Sequence, residues 1–241
     1  VNLKQIGCYD CQVAERNGIF FICPFSKQKT QHKERGMELL LEELSVLVKN
    51  IADYSYEIYQ HSLNVAIIAA SFAYYLNLPE EEIFLFLIKN AGLLHDIGKT
   101  KIDIKILNKS EKLIEEEWKI VKKHPVLGVE ILTPYPWARS FLSLINYHHE
   151  RWDGNGYYGV PGNKIPLGAK LLALADAYEA MSSDRPYQES KNLEQSLKEL
   201  ESCSGSQFEP FLVGKFIQLS DKIINQLGKD GVFKIGVHQF K

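Results

Sequence analysis

From Gly36 onward, apolar residues recur along the chain with the period of an α-helix. The pattern predicts helices over 36–52, 56–77, 80–94, 115–132, 137–149, 167–182, 192–202 and 209–227. Asn77-Leu78-Pro79 divides the second from the third. Residues 150–166, ERWDGNGYYGVPGNKIP, carry four Gly and two Pro and predict a long loop. Loops of that length inside a compact domain usually serve a function. The start of the chain differs. Gln12 to Arg16, Asn17-Gly18 and Ile19 to Cys23 read as a short hairpin with an Asn-Gly turn. Residues 26–35 are polar, a linker or fraying helix start, and 228–241 read as a tail with room for one short strand. The expected organisation is an N-terminal segment over 1–33, a possible hairpin or remnant of an upstream domain, then an all-α helical bundle over 34–228 and a tail over 229–241.

Composition narrows the class. The 241 residues are 45% hydrophobic and 24% charged, with net charge -2. That supplies a core and offers no basic field for a nucleic-acid polymer. The most apolar run, 63–76, is too short to span a bilayer. No secretory signal is read at the start, and four cysteines do not form a disulfide framework. A reducing, cytoplasmic setting is expected. Cys8, Cys11, Cys23 and His32 loosely match a zinc knuckle, but small buried residues at the edge of an upstream domain are the preferred reading.

The candidate chemistry centres on NAGLLHDIGK at 90–99. His95 and Asp96 together offer imidazole and carboxylate to a divalent metal. His61, His124, His148, His149 and Asp176 recur beside other helical runs, so a bundle can point them at one place. Seven such ligands exceed what one ion takes if water keeps a place. Two ions are therefore expected, with Asp96 as the shared carboxylate. Glu57 lies four residues before His61, on the same helical face, and suits a third ion or a hydrogen bond to a ligand. Mixed imidazole and carboxylate donors favour iron or manganese. Paired metals activate water and clamp a phosphoryl group. Lys99 and Arg185 would neutralise phosphate oxygens.

Five stretches resemble one known family. HDIGK at 95–99, HP at 124–125, HHERWDGNGY at 148–157, IPLGAKLLALADAYEAMSSDRPY at 165–187 and GSQFEP at 205–210 are similar to the HD-GYP domain, a branch of the HD phosphohydrolases. The similarity runs from about Glu34 to Gly228. It implies an all-α fold, an HD-type helical bundle holding a multinuclear metal site. It also implies metal-dependent hydrolysis of cyclic di-GMP to pGpG and often on to GMP, which lowers the level of this second messenger. The family's metal ligands fall on His61, His95, Asp96, His124, His148, His149 and Asp176, with Glu57 where members with a third metal carry Glu. Asp96 and Lys99 take catalytic positions, and Lys99, Arg185 and Tyr187 take positions that contact substrate.

Three departures are expected to matter. GYP reads Gly156-Tyr157-Tyr158, as though the Pro were missing, which would loosen or reshape the loop. Gln188 stands where a basic residue is frequent, and Glu209 where Asp is usual. The 153–162 loop is linked to protein partners in the family. Other readings stay open: a non-catalytic cyclic-dinucleotide receptor or interaction module, or a related HD phosphohydrolase acting on cyclic GMP-AMP or another nucleotide. A homodimer is compatible with each.

Overall fold

The computed structural model describes residues 14–16, 19–21, 31–78, 81–183 and 190–225. Strands β1 (Ala14–Arg16) and β2 (Ile19–Phe21) pair antiparallel, with Ala14 opposite Phe21 and Arg16 opposite Ile19. Asn17-Gly18, Cys8, Cys11, Cys23, the side chain of His32 and the predicted tail lie outside the described residues. The other elements are helical.

Helices α1 (Gln31–Tyr54), α2 (Tyr56–Tyr75) and α3 (Glu81–Leu94) form the first half. Helix α1 begins inside the stretch read as a linker. Ser55 separates α1 from α2: its extended backbone ends one helix, and its hydroxyl accepts the Ile58 N–H to start the next. A 3-10 turn, Ile97–Lys101, and the short α4 (Ile104–Leu107) follow.

The periodic stretch 115–132 is two helices, α5 (Glu115–Val121) and α6 (His124–Leu132). Pro125 has no N–H to give the Val121 carbonyl, so α5 stops and Pro125 sits in the first turn of α6. The stretch 137–149 also differs from expectation. It is a 3-10 segment, Pro136–Phe141, followed by α7 (Leu142–Asn146), and it leaves His148 and His149 beyond the helix. Helices α8 (Leu167–Ser182), α9 (Leu193–Ser202) and α10 (Pro210–Ile224) complete the bundle.

Helix α2 is the hub, packed against α1, α3, α8 and α10. Val65, Ile68, Ala69 and Phe72 are its buried residues at the centre of one continuous core. The rings of Phe72 and Phe216 meet edge to face at 5.1 Å. Truncating a buried Phe of this kind costs about 3–5 kcal/mol. Two glycines permit close approaches. A Cβ on Gly92 would stand 2.5 Å from Ala66 Cα, where α3 crosses α2. A Cβ on Gly98 would stand 1.9 Å from the His124 carbonyl oxygen. Gly98 thus lets the turn after His95-Asp96 lie directly on the start of α6. No helix among the described residues is long and apolar enough to cross a membrane.

Candidate metal centre

Three histidines share one local device. His95, His124 and His148 stand just past the ends of α3, α5 and α7. Each ring turns back and gives its Nδ1 proton to a carbonyl three residues earlier: Gly92 at 2.7 Å, Val121 at 2.8 Å and Ile145 at 2.6 Å. A carbonyl only accepts, so Nδ1 carries the proton and Nε2 keeps a lone pair. The helix end is capped and the ring is aimed by the same bond. At Val121, the carbonyl is free for this because Pro125 cannot use it.

The Nε2 atoms point inward around Asp96, which is buried. Asp96 Oδ1 lies 3.3 Å from His124 Nε2. Asp96 Oδ2 lies 3.4 Å from His95 Nε2, 3.7 Å from His61 Nε2 and 2.5 Å from Lys99 Nζ. The carboxylate therefore faces two sets of imidazoles with its two oxygens. His61 Nε2 also meets Asp176 Oδ1 at 3.1 Å, and His149 Nδ1 lies 4.0 Å from Asp176 Oδ2. Two groups have donor atoms within 4.8 Å of one another: Asp96, His124, His148 and His149, and then His61, His95 and Asp176.

Burial pushes the ring pKa values down, to about 3 for His124 and His149, and below the ordinary value for His95 and His148. Burial would also raise Asp96, but Lys99 and then the imidazoles overcome it and hold the carboxyl well below its usual range. His61 is the exception. Burial works against its charge, yet hydrogen bonds to Asp176 and Glu179 bring it up to about 9. Around its ionised carboxylates the cluster so holds neutral imidazoles at His95, His124, His148 and His149, and a protonated one at His61. Asp96 Oδ1 is buried without a hydrogen-bond donor. The Nε2 atoms of His124 and His148 stand 3.3 Å apart with no proton between them. A divalent cation is what such a donor set fits.

The seven expected ligands come together. Glu57 does not join them; its side chain is exposed in the first turn of α2, and it belongs to neither group. Glu179 instead accepts the Nδ1 proton of His61 at 2.5 Å, and is itself held by Asn64 and Ser183. The i,i+3 spacing from Asp176 places Glu179 on the same face of α8, a signal present in the chain. Lys99 is paired with Asp96 rather than free. Arg185, Tyr187 and Gln188 lie outside the described residues.

Glu150, the residue after His149, is buried, and no motif or spacing in the chain marks it. Its carboxylate accepts the backbone N–H groups of Tyr158 at 2.7 Å and Val160 at 2.7 Å. A Pro at 158 would have no N–H for this bond. The Glu150 carboxylate therefore holds the variant loop at Tyr158 by a bond that Pro could not make. Tyr157 lies with its ring 4.7 Å from that of His149. Glu209, in place of Asp, pairs with Lys170 at 2.9 Å. Beside the cluster is a cavity of about 300 Å³, lined by His148, His149, Asp176, Tyr157, Arg151 and Lys122, among others.

A sequence profile described as "HD domain" matches residues 45–212. A cyclic di-GMP phosphodiesterase of Thermotoga maritima is 35% identical over 77% of this chain and 51% of its own length. A 3'3'-cGAMP-specific phosphodiesterase of Vibrio cholerae is 36% identical over 77% of this chain and 36% of its own length. The chain thus spans about half of the first relative and about a third of the second. Two solved structures share the fold. The HD domain of the L. monocytogenes phosphodiesterase PgpH, in complex with cyclic-di-AMP, has a TM-score of 0.56 at 18% identity, covering 75% of this chain and 94% of that one. An HDG"Y"P protein from Bdellovibrio bacteriovorus has a TM-score of 0.56 at 17% identity, covering 68% of this chain and 52% of that one. With its helical bundle, its His95-Asp96 pair and these relatives, the chain belongs to the HD-domain family, in its HD-GYP branch.

Proposed function

We propose that this chain is a metal-dependent phosphodiesterase that hydrolyses cyclic di-GMP to pGpG. The observation that carries the reading is the set of inward lone pairs on His95, His124 and His148 around the two oxygens of Asp96. His61, His95 and Asp176 would hold one ion, and His124, His148 and His149 a second, with Asp96 shared. Iron or manganese suits these donors. When bound, such a pair supplies a nucleophile from water at neutral pH and neutralises charge on a phosphoryl group.

The chain's own residues do the rest. Asp96 holds the two halves of the cluster together. Glu179 keeps the His61 proton on Nδ1, so that Nε2 faces inward. Lys99 brings a positive charge to the edge of the cluster, where a phosphate oxygen can accept its hydrogen bond. Arg185 and Tyr187 are assigned to substrate contact by their place in the DRPY motif.

A second cyclic dinucleotide is a parallel reading, favoured by relatives of equal identity whose names give cGAMP as substrate. Metal-loaded protein should be incubated with cyclic di-GMP, cyclic GMP-AMP and cyclic di-AMP in parallel. Linear pGpG from the first, at the highest kcat/KM of the three, is expected. No linear product from cyclic di-GMP with either iron or manganese would overturn the reading.

A further inference from the structure

We propose that Lys122 binds the second, uncleaved phosphodiester of a cyclic dinucleotide while the first is hydrolysed at the His/Asp cluster. This rests on the phosphodiesterase reading above and adds a residue to it. A cyclic dinucleotide carries two phosphodiesters, each with a negative charge, and only one can occupy the cluster at a time. The other needs a cation nearby.

The cavity beside the cluster shows where that cation is. His148, His149 and Asp176 of the cluster line it, together with Lys122, Tyr157 and Arg151. Its volume of about 300 Å³ lies within the range of small-molecule sites. Among the described residues, Lys122 and Arg151 are the lysine and arginine that line it. Arg151 is already neutralised by Asp153, with contacts of 2.7 Å and 3.1 Å, and also reaches Gln207. Lys122 forms no ion pair among the described residues. Lys99 is bonded to Asp96 and does not line this cavity. The two lysines therefore serve different places.

Lys122 is also held where it is needed. It ends α5, and its backbone N–H bonds the Trp118 carbonyl, so its stem starts from a fixed point two residues before His124. Its ammonium lies 5.6 Å from the centre of the Tyr157 ring, which in turn packs on His149. The lysine and the cluster thus neighbour the same aromatic ring. Attraction to that ring limits the lysine's freedom before substrate arrives.

The test compares a substrate with two phosphodiesters and one with a single phosphodiester, using the full metal-loaded chain. Lys122→Gln should raise KM for cyclic di-GMP by about tenfold or more, the loss expected for a hydrogen bond to a charged group, with little change in kcat. The same substitution should have a several-fold smaller effect on bis(p-nitrophenyl) phosphate. Lys122→Arg should restore most of the KM. Equal losses on both substrates, or no loss on cyclic di-GMP, would overturn the assignment. Wild-type protein that cleaves bis(p-nitrophenyl) phosphate but neither binds nor cleaves a cyclic dinucleotide would overturn the phosphodiesterase reading itself, and this inference with it.

Discussion

His124 and His148 face each other through their Nε2 atoms across 3.3 Å, and both rings have already spent their proton on a backbone carbonyl. Two lone pairs at that separation repel in a buried site of low dielectric. The bare oxygen of Asp96, 3.3 Å from His124 Nε2, adds to the strain. Burial keeps both rings from relieving it by protonation near neutral pH.

A bound cation should therefore stabilise the fold. At a concentration about 100 times its dissociation constant, it would add about 2.7 kcal/mol. Manganese or iron should raise the melting temperature by several degrees, and a chelator should reverse the shift. Asp96→Asn should lower metal content, read by elemental analysis, and abolish hydrolysis. A variant that kept its full metal complement would remove Asp96 from the shared position.

Metal affinity should fall as pH falls. His61, with a pKa of about 9 in the metal-free protein, is protonated at neutral pH and bridges Asp176 and Glu179. A cation at its Nε2 must displace that proton. Below pH 9, each pH unit should then cost about tenfold in affinity from this ring alone. Calorimetry in buffers of different ionisation enthalpy would count the released proton, and a count of zero would refute the assignment. Glu179→Gln should weaken binding by about 10–100-fold, the usual effect of losing a ligand's supporting carboxylate.

Without metal, the protein should be sensitive to mild acid. The folded pKa values of His95, His124, His148 and His149 lie below the ordinary 6.5. Below that pH the unfolded chain binds more protons, so their contribution is present above pH 6.5 and lost as pH falls towards about 3. The loss is roughly 1.4 kcal/mol per pH unit for each imidazole that only the unfolded chain protonates. The depressed carboxyls of Asp96, Asp176 and Glu179 add to it at lower pH. His61 acts in reverse, stabilising below pH 6.5 and losing its effect as pH rises through about 9. Melting temperature against pH should fall steadily below pH 6.5; a flat profile down to pH 4.5 would contradict the buried neutral rings.

Lys99→Ala should separate rate from metal binding. Its ammonium pairs with Asp96 but is not a ligand, so the metal content should stay. The rate should drop by about 10²–10³, the cost of one preorganised charge at a transition state. A variant that lost its metal would show that Lys99 orients Asp96 instead.

Much of the architecture is local and was open to reading in the chain. The helical period, the breaks at Asn77-Leu78-Pro79 and in 150–166, and the types of the seven ligand candidates all follow from short-range pattern. The errors in element boundaries are also local. Pro125 cuts 115–132 in two, and the ring of His148 takes the carbonyl that α7 would need to continue.

What the sequence determined by itself is the inventory: helices with apolar faces, ending in imidazoles that can cap them, and carboxylates at helical spacing. Which carboxylate serves which imidazole was decided only by tertiary packing. Glu57 and Glu179 are both one turn from a ligand on their own helices, yet Glu179, 118 residues away from His61, reaches its Nδ1 while Glu57 stays exposed. Likewise, Glu150 captures Tyr158 and Val160, and Lys122 meets Tyr157, only because loop and helix ends are brought to one place. The physical reason is that periodicity specifies a face of a helix. The partner across that face depends on how α8 lies on α2, how Gly98 lets its turn reach α6, and where the 150–166 loop is pinned.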